Sequence, residues 1–374
     1  MSLLAASYPD STWVREGARA SKPLRREARF KMGAEYPAGN YPCSVAIGLL
    51  DNDPIPDLAV ADYGSNSVSV LLGNGDGTFR DPSSTPAGFL PYVVAVGDWN
   101  QDGRADLAVA TEGSGSVTTL LGEGDGTFGS RRDLDAGGGA YSVSAGDLDR
   151  DGFVDLVAAN LNLNQVTVLL SRGDGSFRPG VSYPTAHAPR SAAIADLDLD
   201  GTPDLVVACF NSNAISVLLG QGDGTFGRKR DYPSGASPYS VQVGLLDEDS
   251  WPDVAVSNLS SSSVTVFLGT GRGLLDRKRD THTGKQPYGL ALADLNGDGW
   301  ADLATSDLGT STVSIALSKG KGDFQGSVQL PTGKNPQSIA VGDLNRDGLP
   351  DLVTANTGSN TVTVFLNRAS SSLQ

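Results

Sequence analysis

Seven times along the chain, at an unbroken interval of 49 residues, a short apolar stretch runs into a loop whose carboxylates fall at alternate positions. The clearest copies are Asp147-Leu-Asp149-Arg-Asp151-Gly152-Phe-Val-Asp155 and Asp196-Leu-Asp198-Leu-Asp200-Gly201-Thr-Pro-Asp204, and the others begin at Leu49, Asp98, Leu245, Asp294 and Asp343. A period of this length demands a repeat architecture in which each copy buries its apolar face against its neighbours. It turns 374 residues into one array instead of two or three unrelated domains.

The second copy shows how a unit divides. Val93–Gly97 reads as a strand of small residues, followed by the acidic loop from Asp98 to Asp106. A second strand begins at Asp106, a turn follows at Thr111–Gly115, and Val117–Leu121 reads as a third strand. Gly122-Glu-Gly-Asp-Gly-Thr-Phe128 then supplies a hairpin turn suited to positive φ, and a fourth, irregular strand is expected to open at Phe128 and at its equivalents Phe79, Phe177 and Phe226. Four antiparallel strands per repeat make one propeller blade, so the fold class expected is all-β, a seven-bladed β-propeller. The pattern is entered at Phe30, equivalent to a fourth strand, and left after Val362–Leu366, equivalent to a third. The N-terminal strand should therefore complete the last blade and remove the open edges of the array. The domain reading is a non-repeat basic segment over 1–28, the propeller over 29–368 and a tail over 369–374. The basic residues Arg15, Arg19, Lys22, Arg25 and Arg26, with Arg29 and Lys31 close behind, read as a solvated leader or as a tail that meets an acidic surface or a membrane.

Composition bounds the partners. A net charge of −15 argues against nucleic acid, whose phosphates need a basic surface. No run is long enough for a membrane-spanning helix, and the N-terminus lacks the charged start and apolar core of a secretion signal. Cys43 and Cys209 fall in different repeats at different repeat positions, so a disulfide between them is not expected. A monomer is expected.

The acidic loop carries the chemistry. Calcium takes six to eight oxygens, and a loop curled around it can present side chains from positions 1, 3 and 5 and a carbonyl from position 7, with glycine at 6 for the sharp turn. Five copies have the full set: Asp98, Asn100, Asp102, the carbonyl of Arg104 and Asp106; Asp147, Asp149, Asp151, Phe153 and Asp155; Asp196, Asp198, Asp200, Thr202 and Asp204; Asp294, Asn296, Asp298, Trp300 and Asp302; Asp343, Asn345, Asp347, Leu349 and Asp351. Without a cation such carboxylates repel one another. Five Ca²⁺ sites are therefore expected. The copies at Leu49 and Leu245 lose the first ligand, and Pro54 fixes φ where glycine is needed, so neither should bind calcium tightly. The lone acids of the Gly-Asp-Gly turns, Asp76, Asp125, Asp174 and Asp223, offer too few oxygens for a metal and read as hairpin residues.

This combination of Asp-x-Asp/Asn-x-Asp-Gly-x-x-Asp, a following Asp-Leu-Ala/Val strand and Gly-x-Gly-Asp-Gly-Thr-Phe resembles the FG-GAP/VCBS repeat family, which includes the calcium-binding blades of integrin α-chains. The resemblance spans roughly 30–368. It implies calcium in a structural role in the loop between first and second strands, with Asp106, Asp155, Asp204, Asp302 and Asp351 as ligands. It also implies an extracellular or cell-surface setting.

Nucleophile motifs and clustered metal-binding histidines are not seen, and His187 and His282 stand alone in links, so catalysis is not expected. One position at the start of each first strand reads Cys43, Tyr92, Tyr141, Arg190, Tyr239, Tyr288 and Gln337 around the ring. These residues either pack between blades or present a ligand face, opposite the acidic loops, for a protein or carbohydrate. The function expected is a calcium-binding recognition or adhesion module. The alternatives are a lectin that holds glycans between blades and a calcium-dependent polysaccharide-acting enzyme.

Overall fold

The computed structural model describes residues 28–368, and the basic cluster before Ala28 lies outside them. The described residues form 28 strands in seven four-stranded antiparallel sheets, arranged as the repeat predicts. In the second blade, β6 (Pro91–Gly97), β7 (Asp106–Thr111), β8 (Ser116–Gly122) and β9 (Phe128–Asp135) lie in that order from the axis outward. Closure is as expected: β1 (Arg29–Pro37) pairs antiparallel with β28 (Thr361–Arg368), from Arg29 opposite Arg368 to Pro37 opposite Thr361.

Each second strand is buried at all six positions, for example Asp57–Asp62 and Asp155–Asn160. Both faces of a blade are covered by its neighbours, which is why these strands read as nearly continuous Leu-Ala-Val runs and not as alternating ones. The core therefore lies between blades. Ala59, Ala61 and Val70 of the first blade pack against Val94, Leu107 and Val109 of the second. Val45 and Val60 pack against Val353 and Val362 of the seventh, so the same contact seals the ring.

The fourth strands depart from the simple reading. Phe79, Phe177, Phe226 and Phe324 each close the hairpin through an isolated bridge to the residue six before, as Gly73 with Phe79. The outer strand begins only four or more residues later, as in Ser83–Pro86 and Val181–Pro184. Only in the second and fifth blades does it run on directly from the turn. The aromatic side chain is drawn inward by burial (Phe79 is 7% exposed), so the chain must leave the sheet before it can rejoin it.

Blades are latched on the link face by paired left-handed residues. The 2–3 turn of each blade holds one residue at positive φ, such as Asn66, Asn164 and Asn213, and each link holds another, such as Leu90, Ala188 and Ser237. The Asn66 carboxamide oxygen accepts the Leu90 N–H at 2.9 Å, and Asn164 and Asn213 accept those of Ala188 and Ser237 at 2.8 Å. These asparagines form the turn and also fasten the next blade.

Candidate metal loops and axial ring

Every acidic loop rests on a buried base. Its second residue (Leu50, Trp99, Leu148, Leu197, Leu246, Leu295 or Leu344) is at most 2% exposed. The N–H of that residue donates to the position-9 carboxylate, whose other oxygen accepts an N–H from the end of the third strand. Asp106 takes Trp99 N–H and Gly122 N–H, each at 2.8 Å. Asp57 and Asp253 make the same pair of bonds in the copies that lack a first ligand. The position-9 aspartate is thus a strand clamp in all seven blades, whatever the loop holds. Burial pushes these carboxyls up, to about 6 for Asp106 and about 7 for Asp155, Asp204 and Asp302, although the N–H donors work against it and the acids of the same loop add to it.

Above that base the five complete loops share one conformation. Position 4 is left-handed (Gln101, Arg150, Leu199, Gly297, Arg346), and glycine 6 lies between φ 83° and 87°. The position-1 carboxylate accepts N–H from positions 5 and 6, as Asp196 does from Asp200 at 3.1 Å and Gly201 at 2.8 Å. The position-5 carboxylate accepts from position 7, as Asp102 does from Arg104 and Asp347 from Leu349, both at 2.9 Å. In the Asp147 loop this brings the carboxylates of positions 1, 3 and 5 together, and in the three loops with asparagine at position 3 the carboxamide nitrogen donates to the position-5 carboxylate. In two loops three carboxylates approach within 4.8 Å: Asp147, Asp149 and Asp151, and Asp196, Asp198 and Asp204. Asp149 and Asp198 are pushed above the usual carboxylate range, first by burial and next by neighbouring Asp151 and Asp200. An oxygen-only, carboxylate-rich set of this kind fits a hard divalent cation such as calcium. Arg178 reaches the third blade's loop, 3.5 Å from Asp149 and 3.9 Å from Asp151. The copies at Leu49 and Leu245 wind differently: no left-handed residue occurs at Asn52 or Glu248, and only the 3-to-5 and 5-to-7 bonds form.

The Gly-Asp-Gly acids behave as turn residues. Asp76 and Asp125 each accept the N–H and hydroxyl of the threonine two residues on, which lowers their carboxyls.

At the ring position the four tyrosines and Cys43 pack against one another. Each first strand has a register break where it starts, between Pro91 and Val93, Ala140 and Ser142, or Pro189 and Ser191, so the intervening residue sits in a β-bulge. Bulges re-aim side chains, and here Tyr92, Tyr141, Tyr239 and Tyr288 form one buried cluster with Cys43, each tyrosine at most 9% exposed. Tyr92 and Tyr239 share a hydroxyl contact of 3.0 Å, Tyr141 and Tyr288 one of 3.2 Å, and Tyr239 also meets Tyr141 and Tyr288. The Tyr92 hydroxyl donates to the Gln337 carboxamide at 3.2 Å. Their faces are used on one another, so they offer no open stacking platform. Burial holds all four phenols above their usual range. The Cys43 thiol is pushed up to about 12, by burial first and then by Asp62 and Glu112; both cysteines are free and buried.

The apolar groups that do face solvent on the link side were not picked out by the repeat pattern. Tyr41 is 57% exposed, Phe89 56% and Leu163 50%. The signal for Phe89 was available: its repeat position otherwise holds Asn40, Gly138, His187, Ala236, Lys285 and Lys334.

A model of the FG-GAP-like repeat matches six overlapping segments, 50–109, 98–158, 147–207, 196–256, 246–305 and 294–354. The chain belongs to the FG-GAP-like repeat family. No curated protein sequence matches it significantly. Among solved structures, this FG-GAP-like propeller is similar to an Agrocybe aegerita lectin described in its specific recognition of non-reducing terminal N-acetylglucosamine. That match has 20% identity and TM-score 0.56, and covers 89% of this chain and 86% of the lectin. It is also similar to virginiamycin B lyase from Staphylococcus aureus, at 12% identity and TM-score 0.61 over 90% and 99% of the two chains. A Lactobacillus plantarum protein matches at 16% identity and TM-score 0.59 over 79% and 86%. At these identities the likeness is one of fold.

Proposed function

We propose that this FG-GAP-like propeller is a calcium-clamped recognition module and not an enzyme, with five Ca²⁺ ions in the loops at Asp98, Asp147, Asp196, Asp294 and Asp343. The observation that carries the calcium reading is the shared winding of those five loops, with left-handed residues at 4 and 6 and the position-1 carboxylate holding the N–H groups of 5 and 6, against its loss where Leu49 and Leu245 replace the first acid. Calcium there neutralises crowded carboxylates and ties the first strand to the second, a structural task.

Recognition then falls to the opposite face, where the links expose Tyr41 and Phe89 and the turn between second and third strands of the third blade exposes Leu163. Exposed aromatic faces suit the apolar faces of sugar rings, and the fold's likeness to a lectin supports carbohydrate over protein as the ligand class. A glycan array probed with calcium-loaded protein tests this. Binding that is lost in Tyr41→Ala and Phe89→Ala supports the reading. Binding that survives both substitutions, or turnover of a bound polysaccharide, overturns it. An extracellular or surface setting is part of the same proposal, since extracellular calcium modules work at about 10⁻⁴–10⁻³ M.

A further inference from the structure

The seven first strands enclose an axial cavity of about 140 Å³, which runs along the channel from the ring at Tyr92 and Arg190 to Ile47 and Val341 near the acidic loops. Its walls are mainly apolar, with Val45, Ile47, Leu290, Ile339 and Val341 among them, and it contains one charged side chain, Arg190. The bulge between Pro189 and Ser191 aims Arg190 inward, with the guanidinium carbon 4.3 Å from the centre of the Tyr141 ring, 4.9 Å from Phe210 and 5.5 Å from Tyr239. Among the described residues no carboxylate lines the cavity, and Arg190 Nε is buried without a hydrogen-bond partner. Cation–π contact leaves that N–H unsatisfied, and a part-buried charge without a counter-charge carries a desolvation cost.

A second orphan stands on the neighbouring strand. Ser142 lines the same cavity, is 2% exposed, and its Oγ has no partner. The equivalent serines are used differently: Ser44, Ser191 and Ser338 each accept an N–H from the first strand of the next blade, at 3.3–3.5 Å. Ser142 and Ser240 do not, and of these two only Ser142 is buried. Arg190 and Ser142, on adjacent blades, thus each carry one buried polar atom without a partner, and both residues line the same mainly apolar cavity.

We propose that this axial cavity binds a small organic carboxylate, the Arg190 guanidinium pairing with the carboxylate, Ser142 Oγ donating to it and the apolar walls covering its body. The planar guanidinium fork matches a carboxylate. The apolar lining disfavours inorganic phosphate, which would leave most of its oxygens unpaired. A cavity of the order of 150 Å³ can hold a molecule of benzene's size, so the ligand is compact. The proposal rests on the fold and the ring alone, and depends on neither calcium nor the glycan reading.

Calorimetric titration of the calcium-loaded full chain with sodium isobutyrate and sodium benzoate tests it, with benzamide and inorganic phosphate as controls. Binding of at least one carboxylate is expected, at least tenfold tighter than benzamide or phosphate. Arg190→Gln should weaken it at least tenfold and Ser142→Val several-fold. Gln337 and Val93 already occupy these two repeat positions, so both residues suit the backbone, and unchanged calcium-dependent melting checks that each variant is folded. The inference is overturned if neither carboxylate binds at millimolar concentration, if benzamide or phosphate binds as well, or if Arg190→Gln binds undiminished.

Discussion

Asp62, at the end of the first blade's second strand (Asp57–Asp62), makes a buried cost of ionisation measurable. It is 0% exposed, Oδ2 accepts the Ser69 hydroxyl at 2.6 Å, and Oδ1 has no partner. Burial pushes its carboxyl up to about 7, and the Ser69 and Gly39 bonds only partly offset this. A folded-state pKa above the unfolded value means the folded chain holds the proton more tightly. The resulting stability is fully present below about pH 4 and is lost as pH rises through about 7. At 1.36 kcal/mol per unit, falling off as the carboxyl ionises, the loss is about 2.3 kcal/mol from pH 5 to 7 and about 2.6 kcal/mol by pH 8, where it levels off. Asp62→Asn should remove this slope with little disturbance, because the third blade has asparagine at the same position. There Asn160 Nδ2 donates to Ala136 O and Thr167 Oγ1, both at 2.7 Å, and Ala38 and Ser69 stand at the equivalent places.

The assay is urea unfolding of both proteins at pH 5, 6, 7 and 8 with saturating calcium, reading the difference between them so that calcium linkage cancels. The variant's advantage should widen by about 2–3 kcal/mol between pH 5 and 8. A gap that stays constant, or a variant less stable than the parent at pH 8, refutes the assignment of a buried, reluctantly ionised carboxyl. Asp307 is the internal control. Three hydroxyls donate to it, its carboxyl rises only to about 6, and Asp307→Asn should give a smaller slope that ends earlier.

Other expectations follow from the loops and links. Chelation should lower the melting temperature, since each saturated site contributes about 2.7 kcal/mol at one hundred times its dissociation constant. Metal analysis should find five ions, four in Asp196→Ala and five in Asp51→Ala. Asp253→Ala should cost about 3 kcal/mol with or without calcium, because two buried charged bonds to Leu246 N–H and Gly269 N–H are lost; a cost that appears only with calcium would mean this loop binds metal after all. In Gly39→Ala the new Cβ would stand 2.6 Å from Asp62 Cγ, destabilising by about 1–3 kcal/mol. At the equivalent link Ala186 faces the smaller Cys209, so adding Asp62→Cys to Gly39→Ala should recover at least half the loss in the same unfolding assay.

The blades, the closing strand and the five complete loops were legible because each is written in short-range terms that the 49-residue register repeats: buried Leu-Ala-Val runs, Gly-Asp-Gly hairpins and acids at alternate positions. The ring at Tyr92 was legible as a position but not as a direction. What aims those tyrosines at one another is a bulge entered from a left-handed link residue; before Tyr141 it is Gly139, but before Tyr92, Tyr239 and Tyr288 it is Leu90, Ser237 and Gln286, none of which announces positive φ as glycine does. The dual role of the position-9 aspartate was hidden for a similar reason. Its second N–H partner lies sixteen residues away at the end of the third strand, and only the strand register brings the two together.

The strand register also exposes a rule about where acids are tolerated inside the blades. The hydroxyl at the middle of each third strand (Ser69, Thr118, Thr167, Ser216, Thr265, Ser314 or Thr363) lies between the end of the second strand and the middle of the fourth. Asp62 and Asp307 approach their hydroxyls from the second strand, where the equivalent outer residues are Ser84 and Gln329. Asp133, Asp231 and Asp280 approach from the fourth, where the inner residues are Thr111, Cys209 and Asn258. The seventh blade has Glu35 outside with Asn356 inside, and the third has no acid. No blade has both. One hydroxyl proton can satisfy one carboxylate, and a second carboxylate on the same hydroxyl would be a like charge with no donor. The outer acids are the cheaper solution, with Asp133 and Asp280 side chains about half exposed, and the inner ones are fully buried. Moving the acid of the first blade outward, as Asp62→Asn with Ser84→Asp, should therefore keep the hydroxyl satisfied at pH 8 while removing the pH slope that the buried carboxyl imposes.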